Sequence, residues 1–198
     1  MKVSKVSDAA SSLGSPTAAG WSSAAAETVK LGAIPVAAQP TAYIQEAWAK
    51  RPYASTSRAK VAAATDGERL YVRLEWADDA KANGEFPDGA AVVFPGAANS
   101  AVETLGSAAA PVGLWYWQNG RAEALAIESH GPGVFRKQAS DGIKATAALE
   151  SGRWSVVLSG PATAAKGGKV GVVVWNGSNE ERAGLGAVSQ GWLGLEQA

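Results

Sequence analysis

The sequence predicts an all-β fold, an antiparallel β-sandwich of the jelly-roll kind with about nine or ten strands and few short helical turns. Short apolar or alternating segments recur along the chain, and turn pairs such as Asp66-Gly67 and Asn119-Gly120 separate neighbouring segments. No long segment has the apolar spacing of an amphipathic helix, so we expect less than about a tenth of the residues in helices.

The strand pattern is clearest at residues 69–76, where Leu70, Leu74 and Trp76 share one face of the strand. Further along, Gly152 supplies the left-handed backbone conformation that a tight turn requires. A helical turn or two is expected at residues 43–50. The expected core residues are Leu70, Leu74, Trp76, Trp154, Val156, Val172 and Val174. The predicted strands are residues 28–34, 60–64, 69–76, 90–94, 111–118, 121–128, 143–149, 154–159, 170–175 and 187–195.

Length favours one domain. The chain has 198 residues, and we expect a flexible Ser/Ala-rich arm at residues 1–27, anchored by Trp21, before a single β-sandwich domain at residues 28–198. The N-terminus lacks the apolar run of a signal peptide, and no segment reaches the roughly 20 apolar residues of a membrane span. A cytoplasmic location is expected if Met1 is native, and a periplasmic one if the chain is a processed mature form.

Composition excludes several kinds of site. Because the chain has no Cys, it has no disulfide, cysteine nucleophile, zinc–cysteine site or iron–sulfur cluster ligand. Lys plus Arg equals Asp plus Glu, at 18 each, and no basic run interleaves with aromatic residues, which disfavours nucleic-acid binding. Net neutrality reduces self-repulsion and so favours stable association with a partner protein.

Few side chains offer catalytic or metal-binding chemistry. His130 is the only His, so a catalytic triad or a metal site would lack partners, and we interpret it as a polar loop residue. Asp78, Asp79 and Asp88 carry carboxylates of the kind that bind calcium, but they lack the spacing of a calcium loop. We interpret them as a solvated turn, and we predict neither a metal site nor catalytic residues.

The segment at residues 114–117 is rich in aromatic residues. Strand alternation puts Trp115 and Trp117 on one face, and Leu114 and Tyr116 on the other. Both faces are bulky and apolar, so each must be covered. Two interpretations remain open: ordinary packing between sheets, or a flat apolar wall for a planar ligand or a docking partner.

Seven segments follow one another along the chain: DGERLYVRLEWAD at 66–78, FPDGAAVVFP at 86–95, TLGS at 104–107, PVGLWYW at 111–117, GRWSVV at 152–157, VWNG at 174–177 and AVSQGW at 187–192. This ordered series resembles the γ subunit of the type II dimethyl sulfoxide reductase family of molybdoenzymes. That family includes ethylbenzene dehydrogenase, dimethyl sulfide dehydrogenase and nitrate- or nitrite-handling relatives. No single segment is specific, but their order is.

The resemblance implies a β-sandwich that holds one haem b, together with a catalytic molybdopterin subunit and an iron–sulfur subunit that exchanges electrons with the haem. It also implies two iron ligands, a Met and typically a Lys. At the Met position this chain has Leu105, and at the Lys position it has Gly186 or a neighbour in residues 184–186. Met1 is the only Met, and neither a Leu nor a Gly side chain carries a donor for iron.

Three functional hypotheses follow. The favoured one is a non-catalytic γ-like accessory subunit of a molybdoenzyme complex, structural or assembling in role, which has lost haem ligation and holds no cofactor. The second is a haem b electron-transfer subunit with a substitute ligand among His130, Lys144 and Lys169. The third is a carbohydrate-binding sandwich with Trp115 or Trp117 as a stacking platform. A visible spectrum separates the first two, and co-purification with large subunits separates both from the third.

Overall fold

Fourteen strands form the fold in a computed structural model that describes residues 1–7, 13–78 and 86–197. The predicted all-β sandwich is confirmed, with more strands than expected because short strands form at both chain ends and after residue 134. The strands are β1 (Lys2–Lys5), β2 (Ala26–Ala33), β3 (Arg58–Thr65), β4 (Arg69–Ala77), β5 (Gly89–Pro95), β6 (Val112–Gln118), β7 (Leu125–Ser129), β8 (Phe135–Gln138), β9 (Lys144–Glu150), β10 (Arg153–Pro161), β11 (Lys169–Trp175), β12 (Ala187–Ser189), β13 (Leu193–Gly194) and β14 (Glu196–Gln197).

The strands form two layers that β2 joins. In the first sheet the order is β3-β4-β10-β9, and in the second it is β12-β11-β5-β6-β7-β8. The first part of β2 pairs with β3, and its last residues, Leu31 to Ala33, pair with β12. These pairings are antiparallel, whereas β1 runs parallel to β3 and β14.

Turn chemistry explains the hairpins. At Asp66-Gly67 the Asp66 carboxylate accepts hydrogen bonds from the backbone N–H groups of residues 68 and 69, at 3.0 and 2.7 Å. Between β9 and β10, Ser151 and Gly152 both have positive φ, 50° and 70°, as a two-residue hairpin turn requires. After Asn119-Gly120 the prediction is wrong in one respect. Strand β7 begins at residue 125 instead of 121, because the residue 121 N–H bonds back to the residue 118 carbonyl at 3.1 Å.

The interior between the two sheets contains the main core. Each of the seven predicted core residues lies there and is at most 5% exposed, so that prediction is confirmed. Leu74 and Val156 oppose each other on β4 and β10 and are fully buried. Alternation along paired strands therefore places the apolar side chains as expected.

The outer face of the first sheet is covered by the N-terminal segment. Trp21 is 4% exposed and packs with Leu13, Tyr71 and Val157, and its indole N–H donates to the Leu13 carbonyl at 3.2 Å. Strand β1 in the same segment pairs with β3 of the first sheet.

Helix α1 spans Ala42–Trp48, where a helical turn or two was expected at residues 43–50. The Thr41 hydroxyl accepts a hydrogen bond from the residue 44 N–H at 3.3 Å and caps the helix. Within the described ranges, no helix is long and apolar enough to cross a membrane.

Candidate ligand cavity on the outer face of the second sheet

A cavity of about 270 Å³ lies on the outer face of the second sheet, and we call it the outer cavity. Side chains that lie directly opposite on neighbouring strands share a face, so Leu114 of β6 and Ile127 of β7 line it together. Trp175, the last residue of β11, also lines the cavity. The remaining lining residues are Phe86, Pro87, Tyr116, Gln118, Phe135, Glu181, Arg182 and Ala183.

The two faces of β6 lie in different surroundings. Trp115 and Trp117 point between the sheets and are only 4% and 6% exposed. The ring of Trp117 lies 4.9 Å from that of Trp154. The packing interpretation of these two residues is therefore right, and the interpretation as an exposed wall or a sugar-stacking platform is wrong. The opposite face, with Leu114 and Tyr116, lines the outer cavity instead.

Leu105, which the resemblance assigns to the first ligand position, lies in a tight turn with φ of 51°. Its side chain is fully buried in an apolar cluster that includes Leu114 and Trp175. Its carbonyl accepts a hydrogen bond from the Ser129 hydroxyl at 2.7 Å. The turn is thus fixed against the end of β7, and its side chain is part of the packing around the outer cavity.

Gly186, which the resemblance assigns, with its neighbours in residues 184–186, to the second ligand position, lies under the ring of Trp175. A Cβ atom at Gly186 would be 2.7 Å from the indole Nε1, so a side chain there would displace the ring. The indole N–H donates to the Ala183 carbonyl at 2.9 Å, and the ring packs edge-on against Tyr116 with centroids 5.5 Å apart. The indole therefore occupies the space that a side chain at position 186 would use.

These two positions do not fit the iron of a haem b. Neither Leu105 nor Gly186 has a donor atom, and Trp175 covers the backbone at Gly186. Of the described residues that line the outer cavity, none is a His, Met or Lys. No group of three or more His, Cys, Asp or Glu side chains in the described ranges could hold a metal ion.

The three substitute ligands lie elsewhere. His130 follows β7, and its Nε2 is 3.1 Å from a carboxylate oxygen of Glu128, which alternation places on the opposite face from Ile127. Lys144 begins β9, the edge strand of the first sheet, opposite Ser159. Lys169 lies over the Trp192 ring at 5.3 Å. It begins the strand that Trp175 ends, about 20 Å away at about 3.3 Å per residue.

Two of the three acidic candidates are buried, so their interpretation as a solvated turn is wrong. Asp78 and Asp88 are 6% and 7% exposed. The indole N–H of Trp154 donates to the carboxylates of Asp78 and Asp88, with nitrogen–oxygen distances of 3.1 and 3.2 Å. A buried indole N–H needs an acceptor, which explains why these carboxylates enter the core. Asp79 lies outside the described residues.

Polar groups at the outer cavity are few. The Tyr116 hydroxyl lies 3.4 Å from the Gln118 side-chain oxygen, and burial raises the pKa of this hydroxyl, with the charge of Arg121 acting against that shift. The Glu181 carboxylate is 1% exposed and accepts hydrogen bonds from the backbone N–H groups of Ser55 and Asn176 at 2.7 and 3.0 Å. Glu181 therefore fixes the loop that forms one wall of the cavity.

Sequence reasoning did not single out Phe135, Trp175 or Glu181 as site residues. Each comes from a different part of the chain, and only the fold brings them to one cavity. The VWNG segment at residues 174–177 was the one signal that pointed near Trp175.

Comparison of structures supports the fold. A protein from Bacteroides uniformis whose structure is named as that of a carbohydrate-binding protein is similar to this chain with a TM-score of 0.53, over 99% of this chain and 98% of that one. At 11% sequence identity this likeness concerns the fold alone.

Comparison of sequences is more specific. A protein of Haloferax mediterranei named as a respiratory nitrate reductase heme subunit is 32% identical over 88% of this chain. The chlorate reductase subunit gamma of Ideonella dechloratans is 32% identical over 72%. The matched regions span 65% and 66% of these relatives, just under two thirds of their lengths. The sequence profile of the ethylbenzene dehydrogenase family matches residues 18–142, which is more than half of the chain. This chain therefore belongs to the ethylbenzene dehydrogenase family.

Proposed function

We propose that this chain is a non-catalytic γ-like accessory subunit of a molybdoenzyme complex that has lost haem ligation and acts in assembly of the complex. Its partners are a catalytic molybdopterin subunit and an iron–sulfur subunit. Family membership and two relatives named as subunits of nitrate and chlorate reductases support this role.

The observation that carries the loss of haem ligation is the contact between Trp175 and Gly186. A missing donor alone leaves room for water or another ligand, but here an indole ring occupies the place of the side chain, 2.7 Å from where its Cβ atom would be. At the other position, the fully buried side chain of Leu105 supports the same loss of haem ligation.

The visible spectrum of the purified chain tests this loss. Produced with haem supplied, the chain is expected to show no strong Soret band. Leu105→Met with Gly186→Lys restores both donors, but the Lys would collide with the indole, so recovery also needs Trp175→Ala. This triple variant is expected to gain haem absorbance, whereas Leu105→Ile, Gly186→Leu and Trp175→Ala together open similar space without a donor and should not.

A stoichiometric six-coordinate haem in the unmodified chain would contradict the loss of ligation and favour the electron-transfer alternative. In that case His130→Ala is the first test of a substitute ligand, followed by replacement of Lys144 and Lys169.

The role in assembly has its own test. The tagged chain, captured from its native cells at native abundance, should carry a molybdopterin-binding subunit and an iron–sulfur subunit, together with molybdenum and iron. A chain that elutes free of both metals and both subunits would refute the role. The carbohydrate-binding alternative is not favoured, because Trp115 and Trp117, the residues suggested as its stacking platform, are buried between the sheets.

A further inference from the structure

The walls of the outer cavity are those of a small-molecule site. Four aromatic side chains and two aliphatic ones surround it: Phe86, Tyr116, Phe135, Trp175, Leu114 and Ile127. Small-molecule sites in proteins have mostly apolar and aromatic linings with a few placed polar groups. The rings also come from separate strands and a loop, so they face the space from several sides.

Most polar groups in this lining already have partners. The Glu181 carboxylate accepts the two backbone hydrogen bonds described above and a third from the Asn179 amide at 2.9 Å. The Arg182 guanidinium lies 4.0 Å from the Phe86 ring centroid and donates to the Glu180 carbonyl at 2.7 Å. Among the residues that the structure describes, the one polar contact of the Tyr116 hydroxyl is 3.4 Å long, beyond the usual range for a hydrogen bond between two oxygens. This hydroxyl can therefore turn to a ligand at little cost.

The volume sets the size of the ligand. An apolar cavity of about 150 Å³ binds benzene. The outer cavity, at about 270 Å³, has room for a second fused ring, but not for a macrocycle of four pyrrole rings. We propose that the outer cavity binds a planar aromatic molecule of one or two rings, with a hydroxyl or similar polar group directed at Tyr116. This inference does not depend on the role in assembly.

Calorimetric titration of the purified full chain tests the proposal. The probes are 2-naphthol, naphthalene and indole. Cyclohexanol, which carries a hydroxyl group like 2-naphthol but has no planar ring, is one control. Haemin, a macrocycle, is the other. We expect saturable binding of one aromatic molecule per chain, with 2-naphthol the tightest. Cyclohexanol and haemin should bind at least tenfold more weakly at this site.

A matched pair of variants locates the site. Ile127 and Lys137 lie opposite each other on β7 and β8 and share a face, but only Ile127 lines the cavity. Ile127→Trp should abolish binding of 2-naphthol, whereas Lys137→Trp should leave it unchanged. Circular dichroism checks that each variant is folded.

Tyr116→Phe keeps the ring and removes the hydroxyl, so it tests the site even if Ile127→Trp does not fold. It should weaken 2-naphthol binding about two- to tenfold, the equivalent of one neutral hydrogen bond, and leave naphthalene unchanged. No saturable binding of any aromatic probe at millimolar concentration would overturn the proposal. So would equal binding of cyclohexanol, or binding to Ile127→Trp that matches the unmodified chain.

Discussion

Two tryptophans in this protein cover glycines, one between the sheets and one beside the outer cavity. A Cβ atom at Gly160 would lie 2.6 Å from the ring of Trp115, and one at Gly186 would lie 2.7 Å from the ring of Trp175. The two contacts are alike in distance, but their surroundings differ. Trp115 packs in the main core, against Phe94 at 4.6 Å, and also reaches a wide, open pocket at the surface, whereas Trp175 borders the more enclosed outer cavity of about 270 Å³.

The difference teaches that a tight contact between an indole and a glycine does not by itself mark a functional site. Between the sheets, Gly160 lets the bulky Trp115 fit within a close-packed core. On the outer face, the same contact leaves space next to the ring. The aromatic lining of the outer cavity next to Trp175, and not the contact itself, therefore distinguishes the candidate site from the core.

The largest expected effect is a loss of stability when a side chain is removed from the interior. Leu74 is fully buried between the sheets, so Leu74→Ala should lower the free energy of unfolding by about 2–5 kcal/mol through lost burial and a cavity. Urea denaturation followed by circular dichroism measures it. The exposed Leu149→Ala is the control and should change stability by less than about 0.5 kcal/mol. A loss that small for Leu74→Ala would mean that the assignment of faces is wrong.

The next effect comes from overpacking the interior contact. Gly160→Ala should cost about 1–3 kcal/mol, because the added methyl group meets the ring of Trp115, which is 4% exposed and packed against Phe94. Combining it with Trp115→Phe should recover part of the loss relative to the sum of the two single changes. Additive losses in this double-mutant cycle would show that the two residues do not compete for space.

Gly186→Ala should be milder, below about 1 kcal/mol, because Trp175 has free volume into which its ring can shift. Since the shifted ring would enter the outer cavity, the variant should also bind 2-naphthol more weakly. Denaturation and titration on the same sample check both effects. A loss of stability equal to that of Gly160→Ala would break the comparison between the two contacts.

How far the sequence predicts this molecule depends on the range of the interactions. The turn at residues 151–152 and the burial of Leu74 follow from neighbouring residues, through turn chemistry and strand alternation. The cover over Gly186 does not, because it requires the segment after Trp175 to fold back over the sheet. The burial of Asp88 likewise depends on an indole that is 66 residues away in the chain. Such pairings are decided by the fold, and no local pattern encodes them.

The smallest expected effect concerns pH and the Tyr116 hydroxyl. Burial raises the pKa of this group in the folded chain above its ordinary value of 10.0, so the folded state favours the neutral hydroxyl. Its contribution to stability is fully present below about pH 10 and is lost as the pH rises through the raised folded pKa. Tyr116→Phe removes this loss, so the stability of the unmodified chain should fall relative to the variant above about pH 10. Burial raises the pKa of Tyr53 as well, but both proteins keep that residue, and its effect cancels in the difference. Urea denaturation of both proteins from neutral to strongly alkaline pH measures this difference. A difference that stays constant across that range would mean that the hydroxyl is as solvated in the folded chain as in the unfolded one, and that the outer cavity is open to water at Tyr116.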